Sequence, residues 1–350
     1  MENKIDKDTH SFLEKILDHK GIIFILAGIA IRIIMLSFFY YTHISDPGRS
    51  WGDVGYNFEK STSPVYPPLS VVLLVFFREI SFGSIFIFAF WAFFFDLLIM
   101  VMFYFVLKSF NIPKRKYVFG LFFINPFIFL NNSFSLENCG YHITDSFFFI
   151  FFFLALIFYS KKDVRSKYLF YLFLALSMAA KLYALPVVGF FFIKFLIEKD
   201  WDELKIFLIS TVPILFLFLI TPIFYWKDYL EFYFIWNLKG EVGTPLTLRI
   251  IPSIVIFGIY AVFRLKNADI FEITFFSIFV MSLFIFFSAP YIRYFQALLI
   301  FGILKPKEFF SFKLNLGFIE RDVVVDNNLL VFYSSFILVG VSYLIIIFIL

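Results

Sequence analysis

Three carboxylates, Asp46, Asp53 and Glu59, stand in a polar stretch that reads DPGRSWGDVGYNFEKSTSPVYPPLS from Asp46 to Ser70. The stretch follows directly on a membrane-length apolar run, and Tyr66-Pro67-Pro68-Leu69 near its end opens a new apolar segment. A partly desolvated carboxylate just outside a bilayer can take the proton of a hydroxyl as that hydroxyl attacks a lipid-borne substrate. Asp53 is the first candidate for such a base, although its neighbours Gly52 and Gly55 suit a turn residue equally well. Asp46, followed by Pro47-Gly48, reads more naturally as a turn and is the alternative base. Glu59 reads as a solvated loop charge.

Further polar residues interrupt the apolar runs at Glu137, His142 and Asp145, at Lys181-Leu182-Tyr183, and at Arg293 in Ser288-Ala289-Pro290-Tyr291-Ile292-Arg293. Carboxylates facing the cations Lys181 and Arg293 would set a base beside an anion-binding place. A lysine at the centre of a span costs about 2.5–3.5 kcal/mol, so Lys181 belongs at the interface or in a polar cavity. Snorkelling to the headgroups satisfies that demand without any ligand. His142 and Asp145 could contact an acceptor or a metal, or simply cap the helix that follows; Glu137 is equally open. Arg32 and Asp96 fall inside expected spans, where pairing with each other or with neighbouring helices is the structural reading.

The elements that must position these residues are membrane helices. A span needs about 20 apolar residues, because backbone groups in lipid must be satisfied within the helix. Apolar runs with polar breaks predict spans near 21–41, 83–107, 117–134, 145–160, 168–181, 184–197, 206–226, 249–263, 270–288, 291–304 and 329–350. The fold class is therefore all-α and polytopic, with about eleven spans. Pro67–Ile80 is too short to cross and reads as an outer juxtamembrane or re-entrant helix, its prolines at the start where they are tolerated. The organisation is a cytoplasmic segment 1–20, a transmembrane catalytic region 21–304 with an outer loop 42–82, a cytoplasmic loop 305–328 of no assigned role, and a final span 329–350. The run 21–41 exceeds a signal-peptide core and lacks a small-residue cleavage site, so it is expected to be an uncleaved anchor.

Composition and charge agree with this layout. Hydrophobic residues make up 61% of the 350, and mean hydropathy is +0.90, which excludes a soluble domain. With the N-terminus inside, 21 of the 30 Lys and Arg fall on inner segments and 8 on outer ones, the bias the positive-inside rule requires. The net charge of +4 thus reflects orientation, not nucleic-acid binding. The single cysteine, Cys139, rules out a disulfide framework within the chain and a cysteine-rich metal site. Gly-x-Gly-x-x-Gly, P-loop and His-Glu-x-x-His patterns are absent, which removes the usual nucleotide-driven and zinc-protease readings.

An acidic outer loop after the first helix, followed by Ser63-Pro64-Val65-Tyr66-Pro67-Pro68-Leu69, resembles the GT-C superfamily of polytopic membrane glycosyltransferases, and in particular the dolichyl-phosphate-mannose-dependent enzymes. Phe95-Asp96-Leu97, Asn125-Pro126, Lys181-Leu182-Tyr183 ahead of Pro186, and Ser288-Ala289-Pro290-Tyr291 are similar to further pieces of that pattern, over roughly residues 20–305. The chain departs from the family's Asp-x-Asp, since Asp46 and Asp53 are seven apart. The resemblance implies transfer of a hexose, mannose first, from a polyprenyl-phosphate sugar to a lipid-linked or protein acceptor hydroxyl at the outer membrane face, with inversion. Tyr66, Lys181, Tyr183, Arg293, Glu137 and His142 would bind substrate, and a loop-one aspartate, Asp53 or Asp46, would be the base. No cofactor is required and no metal ligands are assigned, although loop carboxylates could hold Mg²⁺ or Mn²⁺. Partners are the lipid donor, the acceptor and membrane lipid, with no nucleic acid; the location is the cell membrane, as a multi-pass protein. The competing readings are a secondary transporter or lipid-linked-sugar flippase, and an inactive subunit of a membrane complex. A transporter would show matched repeats and midplane ionisable positions in both halves, whereas this chain gathers its polar groups at one face.

Overall fold

The structure, a computed structural model, describes residues 2–46, 51–61, 66–112, 115–124, 143–225, 246–286, 308–315 and 320–326. Helix α1 runs from Glu2 to Ser45, α2 is Gly52–Glu59, α3 is Pro68–Ile80, α4 is Ile85–Ser109 and α5 is Arg115–Phe123. Next come α6 (Ile143–Tyr159), α7 (Val164–Ala180), α8 (Leu185–Glu198) and α9 (Trp201–Leu215). Helix α9 continues through a π-helical turn, Phe216–Ile220, into a last turn, Thr221–Tyr225. Then follow α10 (Leu246–Phe263), α11 (Ile270–Phe286) and a hairpin of β1 (Glu308–Asn315) and β2 (Glu320–Asp326).

Three of the described helices are long and apolar enough to cross a bilayer: Gly21–Ser45 of α1, Ile85–Ser109, and Trp201–Phe224. The chain is a membrane protein on that ground. Their outward residues are apolar and uncovered, for example Leu26, Ile34, Phe90, Leu217 and Phe224, as a lipid-facing surface demands. Helix α8, at 14 residues, is about 21 Å long, less than the roughly 30 Å hydrocarbon core. The expected span 184–197 is thus a short helix, and α6 and α7, at 17 residues each, are also shorter than the long three.

The segment 1–20 is not set apart from the first span, because α1 is helical without a break from Glu2. The segment 42–82, expected as an outer loop, contains the expected α3 and, in addition, the short α2. The segment expected as a plain loop at 305–328 contains an antiparallel pair of strands, which adds a small sheet to the helices of the described residues. Its register sets Phe310 opposite Val325, Phe312 opposite Val323 and Lys313 opposite Asp322. Phe310, Phe312 and Leu314 alternate along β1 and Val323-Val324-Val325 is β-branched, while charged residues keep each apolar stretch far below the length of a span.

Helices α1 and α5 touch backbone to backbone. A Cβ on Gly21 would stand 2.5 Å from the carbonyl carbon of Lys116, and one on Gly120 would stand 2.8 Å from the carbonyl oxygen of Gly21. Close approach through small residues is how helices associate in lipid, where no hydrophobic force draws them together. Near the middle of the apolar span Gly21–Ser45, Arg32 of α1 meets Asp96 near the middle of α4: Nε donates to Oδ2 at 2.9 Å, with the two side chains 0 and 1% exposed. The Arg32 Nη1 also donates to the carbonyls of Phe123 at 2.8 Å and Gly28 at 3.2 Å, and the guanidinium lies 4.0 Å from the Phe123 ring centroid. The pairing expected from sequence is therefore a clamp joining α1, α4 and α5.

Aromatic packing fills the interior. Phe103, Phe122, Phe148, Phe152, Phe153 and Phe190 are almost fully buried in the larger cluster. Some of its rings meet edge-on, such as Phe148 against Tyr183 at 5.5 Å and 90°, and others stack, such as Phe190 on Phe257 at 3.7 Å and 9°. A second cluster gathers Phe39, Val54, Leu69, Phe88, Phe147 and Ala180, one end each of α1, α4, α6 and α7 together with α2 and α3. At the opposite end the turns are short and capped. Asp163 accepts from the Ser166 backbone N–H at 2.9 Å and its hydroxyl at 2.6 Å, and Asp200 accepts from the Glu203 N–H at 3.1 Å. There Glu203 ties α9 to α7, accepting from Lys167 Nζ and, at 2.7 Å, from the Tyr171 hydroxyl.

Candidate functional site

The second cluster gathers Trp51, Val54 and Tyr66 with Ala180, the residue before Lys181, at one end of the bundle. Pro67 has extended backbone (φ −53°, ψ 145°) and Pro68 enters the first turn of α3, where its missing N–H costs nothing. This start of α3 aims Ser70 at α7. The Ser70 hydroxyl donates to the carbonyl of Ala180 at 2.6 Å, fully buried. That carbonyl is orphaned by the end of α7, so the contact satisfies a helix terminus as well as docking α3.

Helix α7 ends because Lys181 turns to extended backbone (φ −154°, ψ 134°), followed by a single 3₁₀ turn, Leu182–Ala184. Pro186, in the first turn of α8, lacks the N–H that a continuous helix would need. The Lys181 ammonium forms an ion pair with Asp145, in the first turn of α6, and lies 4.8 Å from the centroid of the Tyr183 ring. Both charges complement their helices, the anion at the N-terminal end of α6 and the cation at the C-terminal end of α7. Tyr183 is 5% exposed and held edge-on to Phe148. Lys181 and Asp145 remain 21 and 13% exposed. The arrangement can present a fixed cation, with a carboxylate alongside, to an anionic group arriving at this end of the bundle.

The acidic loop approaches from the other side of the same cluster. Asp46 is exposed just past α1, its N–H bonded to the Thr42 carbonyl at 3.1 Å. Asp53 lies in the first turn of α2, directly after Gly52, whose φ of 55° favours glycine; the Asp53 side chain lies outside what is described. Trp51 anchors α2, with its ring 4.0 Å from that of His43 and 5.5 Å from that of Phe39. Tyr66 is half-buried beside Tyr56, ring centroids 6.3 Å apart. Glu137, His142 and Arg293 lie outside the described residues, as do Asn125-Pro126 and Ser288–Tyr291. Among the described residues, no group of three or more His, Cys, Asp or Glu is gathered as metal ligands are.

Sequence reasoning missed three features here. His43 is 2% exposed and bonded through Nδ1 to the Phe39 carbonyl at 2.8 Å; its only local signal is the four-residue step back to Phe39. Asn57, one helical turn beyond Asp53, is 1% exposed, and both polar atoms of its amide lack a hydrogen-bond partner among the described residues. Ser70 follows the Tyr-Pro-Pro-Leu, but nothing local distinguishes it from any other serine. Searches with this chain match no family model, no curated protein and no solved structure.

Proposed function

We propose that this chain is a multi-pass membrane glycosyltransferase of the GT-C type, with about eleven spans. It transfers a hexose, mannose first, from a polyprenyl-phosphate sugar to a hydroxyl of a lipid-linked or protein acceptor at the outer face. The observation that supports it is the meeting of distant pieces at one end of the bundle. The Tyr-Pro-Pro-Leu start of α3 docks through Ser70 onto Ala180, next to the Lys181–Asp145 pair and its Tyr183 ring. The loop carrying Asp46 and Asp53 packs into the same cluster through Trp51 and Val54.

In the proposed step, the acceptor hydroxyl gives its proton to the Asp53 carboxylate while its oxygen attacks the anomeric carbon. The bond from that carbon to the phosphate oxygen breaks with inversion, and the phosphate leaves as a monoester dianion. Lys181 stabilises the charge that develops on it. Asp46 is the alternative base in the same loop.

The test is sugar transfer from synthetic polyprenyl-phosphate mannose and glucose by the purified protein in lipid, with Asp53→Asn and Asp46→Asn in parallel. Loss of a base lowers turnover by about 10²–10⁴-fold. That loss is expected for Asp53→Asn with donor binding retained; the same loss in Asp46→Asn alone moves the base within the loop. Transport of the lipid-linked sugar, insensitive to both substitutions, refutes the glycosyltransferase reading.

A further inference from the structure

Two of the ion pairs among the described residues, Arg32–Asp96 and Lys181–Asp145, tie helices of the bundle together, and their exposure separates them. Arg32 and Asp96 are sealed at 0 and 1%, whereas Lys181 and Asp145 stay 21 and 13% open. A sealed pair changes partner only if the bundle opens. A part-open pair at a helix junction can exchange one anion for another in place.

Each member of the second pair is supported without the other. The Lys181 ammonium lies 4.8 Å from the centroid of the Tyr183 ring, and its backbone N–H bonds the Ser177 carbonyl at 2.9 Å. An ammonium has three donors, so it can face a second anion while the ring holds its flank. Asp145 sits in the first turn of α6, where the helix terminus favours a negative charge, between buried Thr144 and Ser146.

Resting on the reading that a phosphate leaves beside Lys181, we infer that Asp145 is the resident counter-ion of this site. It holds Lys181 in place between ligands, and the phosphate group of an isoprenyl phosphate takes its place as the ammonium's partner. Asp145 touches Lys181 and not the reacting atoms, so it is a positioning residue. Its charge has a second effect. An uncompensated lysine beside a dianion would hold the leaving phosphate tightly, and the carboxylate alongside repels that dianion and speeds its departure.

The test is binding of geranyl phosphate, and separately of inorganic phosphate, to the full chain in nanodiscs of zwitterionic lipid. Removing the repelling charge in Asp145→Asn is expected to tighten geranyl phosphate by about tenfold, a change of about 1.4 kcal/mol. Asp145→Glu restores the wild-type affinity, and Lys181→Met weakens binding by at least about tenfold. Asp145→Ser is a second neutral variant in case the asparagine protein fails to fold. If inorganic phosphate follows the same order, the site reads the phosphate group itself; if only geranyl phosphate does, it reads the lipid headgroup, and both results support the counter-ion. Neutral variants that bind as weakly as Lys181→Met make the pair a structural clamp and overturn the inference. Affinities that do not differ across the set also overturn it. Sugar transfer is measured on the same preparations. Tightening without transfer leaves the counter-ion standing and removes the glycosyltransferase, and transfer with unchanged affinity does the reverse.

Discussion

Replacing Asp96 with leucine keeps an apolar side chain of similar reach while leaving the Arg32 guanidinium buried without its carboxylate. The wild-type pair is closed to solvent, at 0 and 1% exposure, so water cannot take the place of the lost partner. Removing one member of a buried pair costs about 3–5 kcal/mol. A lone arginine at the centre of a span costs about 2.5–3.5 kcal/mol on insertion scales, which sets the same scale independently. Arg32 keeps the Phe123 and Gly28 carbonyls and the Phe123 ring, so the lower end, about 3 kcal/mol, is expected. Arg32→Met should cost less, because a lone carboxyl can take up a proton whereas a lone guanidinium stays charged. The double variant Arg32→Met/Asp96→Leu should return to within about 1 kcal/mol of wild type, since no buried charge is left over. Reversible unfolding in mixed micelles, followed by circular dichroism, measures all four proteins. An Asp96→Leu protein as stable as wild type, or a double variant no better than that single one, would refute the clamp.

Three further outcomes follow from packing, helix propensity and capping. Gly21→Ala drives a Cβ to 2.5 Å from the Lys116 backbone, which cannot rotate away, and should destabilise by about 1–3 kcal/mol in the same assay. Gly258→Ala, in α10 with no described residue within 4 Å of the added Cβ, should instead gain up to about 1 kcal/mol from helix propensity. The hydrogen bonds from the Ser166 hydroxyl and N–H hold the Asp163 carboxyl below its ordinary value of 3.8. Its contribution to stability is therefore present above that value and is lost as pH falls through the lowered one. Thermal unfolding between about pH 5 and 2 should show this acid loss in wild type and a flatter profile in Asp163→Asn, which keeps a capping oxygen.

Much of the frame was legible in local composition. The apolar runs around 21–41, 83–107 and 206–226 became the three long helices, because length and hydropathy are properties of a segment by itself. The prolines at Pro67 and Pro68 placed the start of α3 for the same kind of reason, a missing donor and a fixed φ. The hairpin of β1 and β2 escaped, because a reading tuned to long apolar runs passes over short apolar stretches broken by charges such as Lys313, Asp322 and Asp326. Helix α2 escaped as well: its glycines and polar residues signal turns, and its burial comes from Val54 and Trp51 meeting other helices.

Residue identity alone determined that this chain belongs in a membrane, that its spans are helices, and that its ionisable residues inside them must find partners. Water is absent from the bilayer core, so every backbone and charged group there has to be satisfied by the protein. Which partner each group takes was decided only by the tertiary structure. Arg32 meets Asp96 across 64 residues, Lys181 meets Asp145 across 36, and Ser70 meets Ala180 across 110. No local pattern encodes those distances, because they depend on how whole helices pack through glycines and aromatic rings.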